Sequence, residues 1–413
     1  MKILFKTFGC RVNQIETESL REKIISAGNE ETDNAAAADC IVVNSCSVTS
    51  KADRDVLAFI RKSAAANRNC RIFVSGCLAQ LSPQKIKAAA PGAVIFPNAE
   101  KEKIASAVCG RQMPEDFSAV SGFYGRSRAF VKIQDGCNLK CSYCLVNMAR
   151  SRLKSKPLSA ALCEIKRLIQ NGFSEIVLCG TRLGYYHCPE TGTDLNGLMH
   201  RIFALDGNFR IRFSSLEIKE ITPPLIETLA QGGGRFCDYF HLPLQSGSDK
   251  VLREMRRPYG TAEYAEMLRR LRSVFPDAGI YADVIVGFPT ETEEDFADSC
   301  RFIEENALSG LHVFSFSPRS GTVAAKMKQN SPAAIKDRSL RLHAIDSRLR
   351  ENFFKKMEGK TLQSLILSHS KGKIQGLTSN FLTVDIDDIP AGINPGQIVP
   401  ARIELPCKGV VCN

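Results

Sequence analysis

The sequence predicts an α/β protein in three parts: an N-terminal parallel sheet, a central partial (β/α)6 barrel and a small C-terminal β-barrel. Three observations carry this. Short apolar runs alternate with helical segments between 1 and 98, the alternation recurs six times between 129 and 316, and strand-like segments follow one another without a helix after 358. At 413 residues the chain is too long for one core. The domains are expected at 1–112, 123–357 and 358–413, with the basic, Gly- and Ser-containing stretch 99–128 as the first connection.

In the first part, residues 3–8 read as a strand, and Asn13 with Glu16 three positions on looks like a capping box opening a helix that stops near Gly28. CIVVN (40–44) is a second strand, followed by a helix over 50–67. RIFVS (71–75) is a third, with a helix after Ser82 and Pro83, and 93–96 a fourth. The first three strands end in FGC, NSC and SGC. Parallel strands present their C-terminal ends on one edge, so Cys10, Cys46 and Cys77, far apart in sequence, are expected together in space. Cys40, Cys70 and Cys109 do not share that position and are assigned to packing.

The second series has strands at 129–133, 175–179, 210–214, 239–244, 281–286 and 311–316, with helical patterns such as 160–171 and 264–275 between them. A barrel of this kind places its chemistry at the C-terminal ends of the strands. There the loop DGCNLKCSYC sets Cys137, Cys141 and Cys144 at the spacing C-x3-C-x2-C and supplies no fourth ligand. Structural thiolate sites usually fill four positions, and no fourth Cys or His lies nearby, which disfavours a zinc knuckle. A Lys- and Arg-rich helix over 335–357 leads to the last part, where 361–370, 373–379, 381–387 and 397–405 read as strands and INPGQ as a turn.

Composition narrows the function. No run approaches the ~18 apolar residues of a membrane span, and MKILFKTFGC turns polar too soon for a signal peptide, so a cytoplasmic protein with no membrane partner is expected. In that reducing compartment sixteen cysteines are not disulfides; they are packing residues or ligands. The formal charge is +11, densest in 126–156, where eight Lys or Arg face one acid, Asp135. This reads as a phosphate-binding surface, or more plainly as a solvated face.

The spacing C-x3-C-x2-C resembles the radical S-adenosylmethionine superfamily, in which three cysteines hold a 4Fe-4S cluster and the cofactor's amino and carboxylate groups occupy the open iron. FGCRVNQIE, NSCSVTSKADR, SGCLAQ, HLPLQSGSDKVLREMRR, DVIVGFPTETEEDF and HVFSFSPRSGT extend the resemblance over nearly the whole chain, to the methylthiotransferases and most to the branch acting on N6-threonylcarbamoyladenosine in tRNA. The resemblance implies an N-terminal cluster domain, a radical SAM barrel and a C-terminal TRAM barrel. It implies two 4Fe-4S clusters, one on Cys10, Cys46 and Cys77 and a catalytic one on Cys137, Cys141 and Cys144. It implies S-adenosylmethionine as cofactor, a tRNA anticodon arm as partner, and replacement of the hydrogen on adenine carbon 2 by a methylthio group.

An electron donor such as flavodoxin or ferredoxin and a monomeric state are further expectations. The candidates for holding S-adenosylmethionine are strand-end residues: Gly180, Glu217, Gln245, Ser246 and Asp283, with the turn 286–289 at the adenine end. His187, His241 and His312 read as ordinary barrel residues, and Cys407 and Cys412 match no cluster motif. Two alternatives keep the chemistry and change the acceptor, to isopentenyladenosine in tRNA or an aspartate of a ribosomal protein. A third is a non-catalytic iron–sulfur RNA-binding protein.

Overall fold

The computed structural model describes residues 1–115, 119–123, 125–367, 374–386, 392–405 and 408–411; Cys407 and Cys412 lie outside them. In the N-terminal part, β1 (Lys2–Thr7), β2 (Glu30–Glu31), β3 (Cys40–Ser45), β4 (Arg71–Gly76) and β5 (Val94–Ile95) form one sheet in the order β2-β1-β3-β4-β5, every pair parallel. The CIVVN run is buried at every position because both faces of the sheet are covered. Ile41, Val43, Ile72 and Val74 pack on one side, and Cys40, Val42 and Phe73 on the other. Cys40 is therefore core, as its sequence position suggested.

Helix α1 (Arg11–Ser26) ends before Gly28, which takes φ +89°, but its start differs from expectation. The N-cap is Cys10, which makes no side-chain cap, and Asn13 and Glu16 are both buried. Asn13 donates instead to the carbonyls of Phe8 (2.8 Å) and Ser45 (3.2 Å), and Glu16 meets cations from the barrel, so the capping-box pattern is occupied by long-range contacts. Helix α2 (Ser50–Ala66) is capped conventionally, the Thr49 hydroxyl accepting from Ala52 N at 3.1 Å.

The central part holds β6 (Ala129–Asp135), β7 (Lys154–Ser155), β8 (Glu175–Gly180), β9 (Arg210–Phe213), β10 (Tyr239–His241), β11 (Gly279–Val286) and β12 (Gly310–Ser315). Strands β6-β8-β9 and β10-β11-β12 run parallel, and single bridges Ile211↔Phe236 and Ser215↔His241 join the two sheets into six successive barrel strands. The short β7 pairs antiparallel with β6.

Five strands, β13 (Thr361–Ile366), β14 (Ile374–Thr378), β15 (Thr383–Ile386), β16 (Ile398–Glu404) and β17 (Lys408–Val411), close the C-terminal barrel in the order β13-β14-β15-β17-β16. It docks on the N-terminal ends of the central strands. Arg210 donates to the carbonyls of Gln363 (2.7 Å) and Leu377 (2.9 Å), and Arg212 to those of Thr378 and Ser379 (3.0 Å each). The fully buried Glu175 balances both guanidinium groups at 2.7 and 2.8 Å. That docking leaves the C-terminal strand ends to the cysteines.

Candidate active site

The ends of β1, β3 and β4 carry Cys10, Cys46 and Cys77. Glycine is required beside two of them. Gly9 lies at φ +100° and a side chain there would come within 2.8 Å of Cys46 Sγ; Gly76 lies at φ +94° and a Cβ would meet the Ser45 carbonyl at 2.2 Å. Cys46 and Cys77 are buried and Cys10 is exposed. Burial pushes the Cys46 thiol up to about 11 and raises that of Cys77, and each thiolate would repel the other members of the set. Val48 N–H points at Cys46 Sγ from 3.5 Å.

The second set follows β6. Gly136, at φ +87°, passes so close to the Arg152 carbonyl that a Cβ would lie 2.0 Å from it. The loop is pinned by Cys137 N–H to the Arg150 carbonyl (3.0 Å), Cys144 N–H to the Cys141 carbonyl (3.2 Å) and the Ser142 hydroxyl to the Glu254 carbonyl (2.7 Å). Sulfur is met by donors here too: Val146 N–H is 3.4 Å from Cys144 Sγ and Arg257 Nη1 is 3.2 Å from Cys141 Sγ. Arg257 is held in turn by Glu217 and lies over the Tyr259 ring at 4.9 Å. Burial pushes Cys144 up to about 12.

One cysteine of each set, Cys77 and Cys144, opens on one cavity of about 230 Å³, walled further by Ser47 and Val48 from the N-terminal part and by Gln245 and Phe314 from the barrel. Arg319 clamps the two walls. Its Nη2 reaches Asp53 Oδ2 at 2.7 Å and the Ser47 hydroxyl at 2.8 Å, and its Nη1 the Ser50 hydroxyl at 3.1 Å. Sequence reasoning assigned roles to neither Arg319 nor Arg257. The available signals were an arginine in SPRSGT just past β12 and an arginine pair in MRRPYG.

The candidate cofactor residues are distributed unevenly. Gln245 and Asp283 line the cavity, Gln245 in the left-handed region (φ +70°) with its N–H on the Asp283 carbonyl at 2.8 Å. Asp283 accepts from His241 Nε2 (2.8 Å) and His312 Nδ1 (3.2 Å), which hold its carboxyl well below the usual carboxylate range against the opposing effect of burial. Those two histidines, read as ordinary barrel residues, thus orient a cavity carboxylate. His187 is exposed. Glu217 is beside Cys141 through Arg257. Gly180 packs under Leu183 and Gln134, and Ser246 is buried with its hydroxyl on Ser299 and on Ser248 N–H.

The expected basic surface is half its apparent size, because four of the eight cations in 126–156 serve as internal counter-charges. Lys132 and Arg150 face Glu16 and Asp135, Lys156 pairs with Glu164, and Arg128 lies 3.6 Å from Glu175. Arg126, Lys140, Arg152 and Lys154 are exposed.

Comparison with known proteins agrees with this geometry. Residues 2–97 match the Uncharacterized protein family UPF0004 and residues 131–303 the Radical SAM superfamily. The chain is 33% identical to Threonylcarbamoyladenosine tRNA methylthiotransferase MtaB of Aquifex aeolicus, over 93% of this chain and 96% of the relative. It belongs to the radical SAM methylthiotransferase family. Another relative, tRNA-2-methylthio-N(6)-dimethylallyladenosine synthase of Aquifex aeolicus, is 31% identical over 97% of this chain and 96% of its own. Among solved structures, the radical S-adenosylmethionine methyltransferase TsrM from Kitasatospora setae, with cobalamin and a [4Fe-4S] cluster bound, superposes with a TM-score of 0.56 at 12% identity, covering 78% of this chain and 77% of that one.

The enzyme is a methylthiotransferase whose cofactors are 4Fe-4S clusters and S-adenosylmethionine. The residues present fit such clusters. Each cysteine set offers three sulfurs, main-chain N–H groups and Arg257 are aimed at sulfur, and glycine lets the backbone approach at Gly9. No helix among the described residues is long and apolar enough to cross a membrane.

Proposed function

We propose that this enzyme methylthiolates carbon 2 of N6-threonylcarbamoyladenosine beside the anticodon of tRNA, with Cys137, Cys141 and Cys144 holding one 4Fe-4S cluster and Cys10, Cys46 and Cys77 a second. The observation that carries the reading is the shared cavity: cysteines of both sets face the same space of about 230 Å³. When bound, the first cluster would supply the electron for reductive cleavage of S-adenosylmethionine, and the second would supply the sulfur.

The chain's own residues bind, orient and exclude water. Gln245 and Asp283 hold the cofactor from the barrel side, Asp283 kept ionised and aimed by His241 and His312. Glu217 fixes Arg257 against Cys141, while Gly180 and Ser246 shape the strand ends that carry these groups. Val48, Leu145, Ile285 and Phe314 make the walls largely apolar, which suits a base flipped out of a single-stranded loop. Arg126, Lys140, Arg152 and Lys154 meet backbone phosphates, and the C-terminal barrel holds the anticodon arm by shape. The parts correspond to 1–112, 123–357 and 358–413, acting as a monomer that takes electrons from a donor such as flavodoxin or ferredoxin.

The choice of acceptor is supported by relatives named for threonylcarbamoyladenosine at 32–34% identity. A second reading, the dimethylallyl nucleoside, is favoured by relatives at 31–32%. Mass spectrometry of tRNA nucleosides from cells lacking the gene separates them: loss of the methylthiolated threonylcarbamoyl nucleoside is expected, and its persistence would overturn the assignment.

A further inference from the structure

The helix Asp249–Glu254 ends against the Cys137–Cys144 loop. The Glu254 carbonyl accepts from the Ser142 hydroxyl at 2.7 Å, and the Met255 carbonyl from Ser142 N–H at 3.0 Å. Arg256 then takes φ +58°, in the left-handed region where a side chain costs strain. Its N–H and that of Arg257 close back on the carbonyls of Arg253 and Leu252 at 2.9 Å each. This reversal sets Arg257 against the cysteine loop, with its side chain only 2% exposed, so water screens its charge poorly.

Each guanidinium nitrogen of Arg257 has a partner. Nε donates to the Tyr259 hydroxyl at 3.1 Å, Nη2 to the Glu217 carboxylate, and Nη1 to Cys141 Sγ at 3.2 Å. Tyr259 is fixed in turn, its hydroxyl facing the carbonyls of Pro243 and Leu244, and the guanidinium lies 4.9 Å from its ring centre. Two of the three partners are oxygen acceptors. The third is a sulfur, which as a neutral thiol accepts weakly and as an iron-bound thiolate accepts in a charge-assisted bond. Cys144, by contrast, meets a neutral main-chain donor, Val146 N–H, at 3.4 Å. Glu217 balances the guanidinium charge, so what acts on the sulfur of Cys141 is a directed N–H group and not a free cation.

We propose that Arg257 is a positioning residue whose hydrogen bond to Cys141 raises the reduction potential of the cluster held by Cys137, Cys141 and Cys144, with Glu217 limiting the effect. Reduction adds one electron to the cluster with no bond made or broken. The added negative charge is shared by the ligand sulfurs, and it strengthens a bond from a charged donor more than one from a neutral amide. The consequence is a cluster that a one-electron carrier reduces more readily. The inference rests on the ligand assignment proposed above.

The test uses the full chain with Cys10, Cys46 and Cys77 replaced by Ala, reconstituted anaerobically so that only the barrel cluster is present. Without S-adenosylmethionine, it is titrated with a titanium(III) chelate through redox mediators while its paramagnetic signal is followed. Arg257→Met should lower the midpoint by about 59 mV, a tenfold change in the one-electron equilibrium, and Arg257→Lys should lower it by less. Glu217→Gln, which keeps an acceptor oxygen for Arg257 and removes the negative charge, should raise it. Shifts of the same sign in Arg257→Met and Glu217→Gln would mark a structural disturbance and overturn the inference.

Should Arg257→Met take up no iron, the decision rests on Arg257→Lys, which must lower the midpoint, and on Glu217→Gln, which must raise it. Bound iron with unmoved potentials overturns this inference alone. Absence of iron in the parent variant overturns the assignment of Cys137, Cys141 and Cys144 and this inference with it.

Discussion

Replacing Arg319 with Met tests whether the two walls of the cavity must be held in register. Arg319 and Asp53 are each 8% exposed, and among the described residues the Asp53 carboxylate would keep only the Ser47 hydroxyl, at 2.8 Å, once the guanidinium is gone. Stranding a buried carboxylate in this way costs ~3–5 kcal/mol. Adding Asp53→Asn removes the stranded charge, so the double variant should lose only the hydrogen bonds, on the order of 1–2 kcal/mol.

Function should divide along the same line. Arg319 contacts Ser47, Ser50 and Asp53 of the N-terminal wall, whereas the Cys137–Cys144 loop is pinned by Arg257, Glu254 and Arg150. Deoxyadenosine formation should therefore change by less than about threefold, while methylthiolation falls by roughly a hundredfold, the scale of a 1 Å misplacement. Urea denaturation gives the stabilities under anaerobic conditions, and product analysis gives both rates. A parallel fall in both activities, or a single variant no less stable than the double, would refute the reasoning.

Two further outcomes follow from particular residues. Ala at Cys10, Cys46 and Cys77 should leave deoxyadenosine formation intact and abolish methylthiolation, while Ala at Cys137, Cys141 and Cys144 should abolish both; liquid chromatography of products reads each, and normal methylthiolation in the first variant would count against a second functional cluster. Asp238, half-buried near Asp277, has its pKa pushed up to about 6, chiefly by burial. A folded-state value above the unfolded one means stability that is complete below about pH 4 and lost as the pH rises through 6. Asp238→Asn should thus stabilise the protein at pH 7–8 by on the order of 2 kcal/mol, allowing for partial exposure, with the gain shrinking below pH 5; a gain independent of pH in thermal melts would contradict this.

The parts of the fold that depend on local pattern were legible in the sequence. CIVVN and RIFVS are apolar through their centres, Ile41 to Val43 and Ile72 to Val74, because their strands are covered on both faces, and the cysteines after them converge because parallel strands end on one edge. The misreadings share another cause. Asn13 and Glu16 match a capping box by spacing, yet their partners come from Ser45 and Arg150, the latter 134 residues away. Charge counting treated Lys132, Arg150 and Lys156 as surface, because a count cannot register that Glu16, Asp135 and Glu164 neutralise them inside. The Arg319 clamp joins positions 266 residues apart, and the two-residue strands β2 and β7 exist only because a neighbouring edge offers hydrogen bonds. None of these has a short-range signature.

The most direct measurement gives purified, anaerobically reconstituted enzyme equal amounts of two tRNAs in one reaction, one bearing N6-threonylcarbamoyladenosine and one bearing N6-dimethylallyladenosine, and resolves the nucleosides by mass spectrometry. The account predicts a methylthio group on carbon 2 of the threonylcarbamoyl nucleoside, with the dimethylallyl nucleoside unchanged. Methylthiolation of the dimethylallyl nucleoside, with the threonylcarbamoyl one untouched, would contradict it.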